Sequence, residues 1–267
     1  MIWKFALTLA ALALTAPLFA QDIEGLDRAS FRPGWMTAAG SHMTALDLQL
    51  QPGWKTYWRA PGDAGIPPSF DWTGSENLAS VALHWPSPQI FDLNGLRSIG
   101  YHDQLVLPME VMAIDPTRPV AVRLSVQIGI CKDICLPATV TVSGEVFGKG
   151  ASDAAIKTSL ALRPLTADEA GLAQIICRVA PIKDGLRLTA DLDLPRLGVD
   201  AEAVVFETTD RRIWVSEAEA LRQAGTLTAM SDLVGPSGQP FALERRGVTV
   251  TVISGDKSVE ILGCPAP

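Results

Sequence analysis

Short alternations of apolar and polar residues run through most of the chain and predict β-strands. The segment 43–50 alternates for much of its length and ends at Pro52-Gly53, a turn signal. Short strands at this spacing are typical of an antiparallel sandwich of immunoglobulin-like size. In the first half of the chain we expect further strands at 54–59, 79–85, 104–112, 120–130 and 139–146.

The alternation breaks between residues 148 and 170. Gly148-Lys149-Gly150 is a flexible stop, and Ser152 predicts the cap of a short helix that runs to about Leu162. Beyond this break the strand pattern resumes at 173–179, 186–192, 203–208, 213–216, 226–231, 248–254 and 258–262. The pattern therefore predicts an all-β protein with two immunoglobulin-like antiparallel β-sandwich domains, at 21–150 and 171–267, joined by a linker at 151–170.

The first twenty residues are typical of a secretory signal peptide. A short positive start at Lys4 precedes an apolar run at 5–16, and Ala20 is a small residue at a reasonable cleavage point. The apolar run is shorter than a bilayer requires, although a retained membrane anchor is the alternative. We expect an exported chain, with the bacterial periplasm as the compartment, where disulfides persist.

The composition narrows the function classes. The formal charge of −7 and the 22 Lys and Arg residues, none in dense clusters, argue against nucleic acid as a partner. Because 48% of the residues are apolar and only 19% are charged, the chain can bury substantial cores and is not disordered. The sequence therefore predicts a folded protein whose partners are not nucleic acids.

The four cysteines fall into two pairs of different kinds. Cys131 and Cys135 enclose a loop so short that a bond between them stabilises the fold by only about 2 kcal/mol in the chain-entropy model. Cys177 lies in the first predicted strand of the second domain and Cys264 follows the last, so a bond there stabilises by about 4–5 kcal/mol. We therefore predict a permanent structural disulfide between Cys177 and Cys264.

The closely spaced pair is the candidate redox site. It lies between two predicted strands, so Lys132-Asp133-Ile134 must form a tight turn at the end of a sheet. Thiol–disulfide exchange requires an exposed sulfur and a leaving thiol of suitable acidity. The C-x-x-C spacing and the strand–helix alternation of thioredoxin are absent. We predict that Cys131 and Cys135 are catalytic on a β-scaffold; a metal-binding pair and a structural clip are the alternatives.

Metal ligands are scarce around this pair. A structural zinc site normally takes four Cys or His ligands, but His42, His84 and His102 are all more than five residues from Cys131 and Cys135. Two thiolates alone can hold cuprous copper, which keeps a copper-binding function open. The sequence otherwise predicts no metal site and no cofactor.

The stretch from residue 52 to 146 resembles the N-terminal periplasmic domain of the DsbD family of thiol:disulfide interchange reductases. The likeness is closer to the ScsB-type branch, which is linked to copper tolerance, and the cysteine spacing looks like that of this branch. The matching segments keep a consistent order over about a third of the chain. They are Gly53-Trp54-Lys55-Thr56-Tyr57-Trp58-Arg59, Pro61-Gly62-Asp63-Ala64-Gly65-Ile66-Pro67-Pro68, Phe70-Asp71-Trp72, Ile99-Gly100-Tyr101, Leu105-Val106-Leu107-Pro108 and Cys131-Lys132-Asp133-Ile134-Cys135 with Pro137.

This resemblance implies a cysteine pair that takes electrons from a membrane-embedded donor and passes them to periplasmic thioredoxin-like or disulfide-containing proteins. In that family a loop shields the pair, and the matching stretch is 91–95, which makes Phe91 the expected shield. By the same matching, Tyr57, Trp58 and Tyr101 line the site. The family usually continues into a multi-helix membrane domain and a thioredoxin-like domain; because both are missing here, we expect a separate reductant.

Two other function classes stay open at this point. The same two thiolates are compatible with a copper-binding or metal-tolerance module that transfers no electrons. A non-catalytic domain that docks onto a membrane reductase is the third possibility. It would use the tryptophans concentrated in the first domain, which core packing also explains; these are Trp35, Trp54, Trp58, Trp72 and Trp85.

Overall fold

The structure, a computed structural model, describes residues 23–63, 65–93 and 96–267. Strands dominate the described chain, so the predicted all-β class is confirmed. No helix within these ranges is long and apolar enough to cross a membrane. The predicted signal peptide lies outside the described residues.

Ten strands form the first sandwich. They pack as two antiparallel sheets, ordered β1-β2-β8-β5 and β10-β9-β3-β7-β6, with β4 paired to β9. The strands are β1 (Leu26–Met36), β2 (His42–Leu50), β3 (Lys55–Tyr57), β4 (Ser69–Asp71), β5 (Leu78–Leu83), β6 (Gln89–Leu93), β7 (Leu96–His102), β8 (Gln104–Ala113), β9 (Val120–Cys131) and β10 (Cys135–Val146).

The core of this sandwich follows from the alternation along β9. Side chains of successive strand residues point to opposite faces, so the even-numbered apolar residues of β9 line one face. They are buried and pack with apolar residues of the other strands. Gly129 and Cys131 are buried too, although the alternation puts them on the opposite face. That face is therefore covered near the end of β9, and this covered patch contains Cys131.

Nine strands form the second sandwich. Its sheets have the orders β11-β19-β18-β14 and β12-β13-β17-β15, with β16 also paired to β17. Cys177 in β12 and Cys264 after β19 form a disulfide inside its core, with their Cα atoms 5.4 Å apart. The strands are β11 (Leu165–Thr166), β12 (Gln174–Ile182), β13 (Gly185–Asp193), β14 (Ala203–Thr208), β15 (Trp214–Val215), β16 (Glu219–Gln223), β17 (Thr226–Val234), β18 (Val248–Ser254) and β19 (Lys257–Leu262).

The segment between the sandwiches is ordered. Helix α1 (Ala154–Ala161) is capped by Asp153, whose carboxylate accepts from the amides of Ala155 and Ile156 at 2.8 and 3.1 Å. This corrects the expected cap at Ser152: an aspartate one residue later satisfies the free amides of the first turn. Ile156 is fully buried in an apolar cluster of the first sandwich, so the helix is packed onto that sandwich.

A cluster of charges joins the two sandwiches just beyond β3. The Arg59 guanidinium donates to Glu207 of β14 at 2.8 Å and to Glu260 of β19 at 2.5 Å. Burial opposes the charge of Arg59, but hydrogen bonds and charges from the two glutamates outweigh it and raise its pKa. Ile253 of β18 adds an apolar contact, because it belongs to the core cluster of the first sandwich.

The Arg59→Ala variant is expected to unfold about 2 kcal/mol more easily, because the mutation leaves two carboxylates of a partly buried ion cluster without their cation. Urea unfolding measures the change. Arg97→Ala is the matched control, since Arg97 makes a more exposed ion pair between the same sandwiches, with Glu217. It should cost less than about 1 kcal/mol. Equal losses in both variants would contradict a special role for Arg59.

Candidate functional site

The cysteine pair lies where two long strands of the first sandwich meet. Cys131 is the last residue of β9 and Cys135 the first of β10, directly opposite in the ladder. Their Cα atoms are 4.3 Å apart and their sulfurs form a disulfide. The two strands are paired without interruption up to the turn, so the sandwich fixes the position of the pair at the end of a sheet.

The two cysteines differ sharply in solvent exposure. Cys131 is 1% exposed, whereas Cys135 and the whole turn between them are exposed. Ile134, the residue before Cys135, is a large apolar side chain that is 73% exposed. An incoming protein thiol therefore reaches Cys135 more easily than Cys131, and it finds an apolar contact beside it.

Tyr57 of β3 contacts both sulfurs. Its hydroxyl oxygen lies 2.8 Å from the sulfur of Cys131 and 2.8 Å from that of Cys135. Burial raises the pKa of Tyr57, so the hydroxyl keeps its proton at neutral pH. It can donate that proton to one sulfur at a time, and a thiolate is a far better acceptor than a disulfide sulfur.

Gly129 makes room for the tyrosine ring. A Cβ atom at this position would lie 2.7 Å from two ring carbons of Tyr57 and 2.9 Å from the Cβ of Ile66. Both distances are shorter than carbon atoms tolerate, so any side chain here would push the ring away from the disulfide. Gly129 precedes Cys131 by two residues and so lies on the same face of β9.

Lys55 lies on the same face of the sheet, in the strand beside Cys131. It is the ladder partner of Cys131 in the β3–β9 pairing and is only 9% exposed. Its ammonium donates to the hydroxyl of Ser98 at 3.2 Å and lies 5.0 Å from the ring centroid of Phe91. Burial lowers the pKa of Lys55 because desolvation disfavours its charged form.

Phe91, the expected shield, is part of a strand. It belongs to β6, which pairs with β7 in a hairpin, and its ring meets the His102 ring edge-on with centroids 4.5 Å apart. Asn94 and Gly95 of the expected shielding stretch lie outside the described residues. The Lys55 ammonium lies over the ring of Phe91, and the role of Phe91 as a shield stays a prediction.

Trp58 and Tyr101 lie in the core of the sandwich, on the opposite face of the sheet from Cys131. Both are buried members of its apolar cluster. The Tyr101 hydroxyl donates to the carbonyl of Pro86 at 2.9 Å, and its ring stacks on Trp85. The structure thus brings Tyr57 to the sulfurs, while these two residues support the sheet from its other face.

The remaining histidines have structural partners elsewhere. His42 hydrogen-bonds the carbonyl of Gly148 at 3.0 Å, and His84 pairs with Glu110 at 3.2 Å. Within the described ranges, no group of three or more His, Cys, Asp or Glu residues is placed to hold a metal ion.

Sequence reasoning missed Lys55 and Gly129 as members of the site. A signal for both was present, because each lies two residues from a predicted site residue within a strand. Lys55 precedes Tyr57 by two residues and Gly129 precedes Cys131 by two, and residues at this spacing share a face. The alternation that identified the strands therefore also identifies these neighbours.

Comparison with known proteins agrees with this geometry. The model of the family described as "Thiol:disulfide interchange protein DsbD, N-terminal" matches residues 21–145. Comparison with curated protein sequences finds no match. Among solved structures, the N-terminal periplasmic domain of ScsB from Proteus mirabilis is similar in fold, with a TM-score of 0.67 and 20% sequence identity. The similarity covers 93% of this chain and 96% of that one, and so includes both sandwiches.

The matched segment contains every residue that forms the site. It runs through the first sandwich and includes both cysteines, Tyr57, Lys55 and Gly129. The fold of the similar solved structure is consistent with the same assignment. Residues 21–145 of the chain therefore belong to the DsbD family as its N-terminal domain.

Proposed function

We propose that the protein transfers electrons between a membrane-embedded donor and exported proteins by thiol–disulfide exchange at Cys131 and Cys135. Membership of a thiol:disulfide interchange family supports the general role. The observation that carries the proposal is the unequal exposure of the disulfide, with Cys131 buried and Cys135 open to solvent. A permanent structural bond gains nothing from one exposed sulfur, whereas an exchange reaction requires it.

The reaction begins when a thiolate of a donor dithiol attacks the sulfur of Cys135. A donor–Cys135 bond forms, the Cys131–Cys135 bond breaks, and Cys131 leaves as a thiolate. The second donor thiolate then attacks the donor sulfur that is bonded to Cys135, and Cys135 leaves as a thiolate. The donor ends as a disulfide and the chain as a dithiol, so two electrons have moved, together with two protons once both thiolates are protonated. Reduction of a client protein follows the same steps in reverse.

Tyr57 stabilises the leaving group in this scheme. Its hydroxyl is already within hydrogen-bond distance of the Cys131 sulfur, and it is protonated because burial raises its pKa. Charge-assisted hydrogen bonds are about twice as strong as neutral ones, so this contact strengthens as negative charge develops on Cys131. Tyr57 therefore favours the broken state of the disulfide over the intact state.

The partners follow from the family and from the exposed turn. Domains of the DsbD family work with thioredoxin-like proteins and membrane components in general, and we extend this to a membrane-embedded donor and to periplasmic thioredoxin-like or disulfide-containing clients. The exposed side chain of Ile134 gives such partners an apolar contact next to Cys135. The periplasm is the proposed location, with residues 1–20 as the signal peptide.

The proposal also divides the chain by task. It assigns exchange to residues 21–150 and treats 171–267 as a second module, with 151–170 as the linker. The ion cluster around Arg59 supports a second module that holds the first in a fixed orientation, because Arg59 follows the strand of Tyr57 by two residues.

Equilibration of the native protein in glutathione buffers of graded potential tests the proposal. We expect the Cys131–Cys135 bond to open reversibly at moderate potentials, because Cys135 is accessible and the short loop adds little stability. Alkylation followed by mass spectrometry of peptides identifies the reduced pair. The buried Cys177–Cys264 bond is the internal control and should stay oxidised throughout.

One outcome of this titration, and one outcome of cuprous titration and exchange assays on the reduced protein, would contradict the proposal. A Cys131–Cys135 bond that stays closed until the protein unfolds would make it a structural clip. Reversible opening with tight cuprous binding, but without exchange with any protein dithiol, would favour the copper-binding alternative.

A further inference from the structure

Lys55 is a buried cation for which the described part of the chain supplies no anionic partner. Its side chain is nine-tenths buried, and within residues 23–63, 65–93 and 96–267 it forms no ion pair. Its ammonium has one hydrogen bond, to the neutral hydroxyl of Ser98, and a cation–π contact with Phe91. Lysines are almost never buried this deeply unless they are paired, because desolvation of a charge is costly. The position therefore needs an explanation beyond packing.

The register of the sheet places Lys55 opposite the cysteine that leaves, while its ammonium contacts Ser98 of β7 and Phe91 of β6. Lys55 and Cys131 are opposite each other in the β3–β9 ladder, so both side chains rise from the same face. Tyr57 rises from that face as well and touches both sulfurs. The covered patch thus contains one cation, one hydroxyl donor and one buried sulfur, all within two residues of the same ladder position.

Opening of the disulfide creates the missing anion. In the exchange reaction Cys131 leaves as a thiolate, in a place that is 1% exposed. A buried anion without a counter-charge is as costly as a buried cation without one. We propose that Lys55 is the counter-charge for the Cys131 thiolate, an inference that rests on the proposed exchange function. In the disulfide state the Lys55 ammonium has no anionic partner among the described residues. Cleavage of the bond supplies one, the Cys131 thiolate.

The effect on the thiol follows from electrostatic reciprocity. A thiolate beside Lys55 favours the ammonium, so the ammonium favours the thiolate and lowers the pKa of the Cys131 thiol. Among the described residues, the other titratable groups that face Lys55 are His102 on β7, Tyr57 on its own strand and Cys135 on β10.

The adjoining turn offers a matched control. Lys132 and Asp133 are exposed, so solvent and salt screen their charges. If any nearby positive charge were enough, removal of the Lys132 charge would act like removal of the Lys55 charge. If the buried position matters, only Lys55 has a large effect, and that effect persists in high salt.

The thiolate fraction of Cys131 tests the inference directly. In the single-thiol background Cys135→Ser, ultraviolet absorbance across pH reports the Cys131 thiolate. Adding Lys55→Met should lower the thiolate fraction at neutral pH about tenfold, which corresponds to about 1.4 kcal/mol. Lys55→Arg should keep most of it, since the charge remains, and Lys132→Met should change it less than twofold. All four proteins should give the same circular dichroism spectrum.

The full dithiol protein supplies a second readout. Exchange of Lys55→Met with a protein dithiol should be several-fold slower than that of the unmodified protein, because Cys131 leaves less readily. Its oxidised form should unfold at a higher temperature, since Met fills the same space without a buried unpaired charge. If the role of Lys55 is only structural, Lys55→Met should instead lower the stability and leave the thiolate fraction unchanged.

The outcomes separate this inference from the proposed function. If the unmodified protein exchanges but Lys55→Met leaves the thiolate fraction and the rate unchanged, the role of Lys55 is wrong and the function stands. If Lys132→Met matches Lys55→Met, the buried position is irrelevant and the inference is overturned. If the unmodified protein fails to exchange with any dithiol, the proposed function itself is wrong.

Discussion

The Cys131→Ser variant is expected to capture its partner as a stable mixed disulfide. Cys135 is exposed and remains free to form a bond with a partner cysteine, while the residue that would resolve that bond is gone. Cys135→Ser should capture far less, because its remaining thiol at Cys131 is 1% exposed. We expect a difference of at least tenfold in trapped complex, since access is a main determinant of exchange.

Non-reducing electrophoresis measures this difference with a thioredoxin-like protein that keeps a single reactive cysteine, loaded beforehand as a mixed disulfide with thionitrobenzoate. The Cys135 thiolate attacks the partner sulfur, the interprotein disulfide forms, and thionitrobenzoate leaves as the thiolate. The double variant Cys131→Ser/Cys135→Ser controls for capture through other residues and should give no complex. Equal capture by the two single variants would show that the covered patch opens freely, which contradicts the assignment of Cys135 as the attacked sulfur. Stronger capture by Cys135→Ser would reverse the roles of the two cysteines.

Removal of the second disulfide is expected to have the largest effect on stability. The Cys177–Cys264 bond closes a loop of 87 residues and joins β12 to the end of β19 inside the second core. The chain-entropy model gives a loss of about 4–5 kcal/mol for Cys177→Ala/Cys264→Ala, a large fraction of the stability of a typical domain. We expect the second sandwich of this variant to be largely unfolded at 37 °C, a temperature that commonly exposes such losses.

Urea unfolding, followed by hydrogen exchange of each sandwich, measures this loss. The matched control removes the other bond: Cys131→Ala/Cys135→Ala opens a loop of only a few residues and should cost about 2 kcal/mol or less. A larger loss from the control pair would mean that the hairpin disulfide is the structural one. That result would also count against the exchange function.

Alternation predicted most of the strands because their polar positions face solvent. The segment Ala203–Thr208 matches its expected bounds, and 248–254 does as well. Strand β1 was missed, since Pro33 and Gly34 interrupt its pattern and few of its side chains are buried. In the structure β1 bends there, with a register shift between Arg32 and Trp35 that accommodates these residues. Local pattern cannot reveal a strand whose pairing depends on a bulge.

The hairpin of β6 and β7 shows a second limit. The stretch 91–95 was expected to be a shielding loop, but its described residues, 91–93, belong to β6. Short strands that carry glycine and charged residues resemble loops in sequence, and only their pairing with β3 makes them part of the sheet. The strands β6 and β7 form because they pair within the sheet, since their own β-propensity is weak.

The site was predictable in its chemistry but only partly in its geometry. The spacing of Cys131 and Cys135 pointed to a hairpin, and the family likeness pointed to Tyr57, which touches both sulfurs. Trp58 and Tyr101 came from the same likeness but lie in the core. For Tyr101 the period of two explains this: it is adjacent to His102, which faces the site, so its own side chain faces the other way. A motif match does not consider which face of the strand a residue lies on, whereas the pairing of the strands determines that face.

The lack of a side chain at Gly129 has a consequence beyond this molecule. The phenol ring of Tyr57 occupies the volume that any side chain at residue 129 would need. The contact of Tyr57 with both sulfurs therefore depends on a glycine two positions before the first cysteine. Chains that carry a bulky residue at that position must hold their sulfurs by a different arrangement. Genome surveys can therefore search for the joint presence of residues equivalent to Tyr57 and Gly129 to find proteins in which a tyrosine hydroxyl contacts both sulfurs of a disulfide.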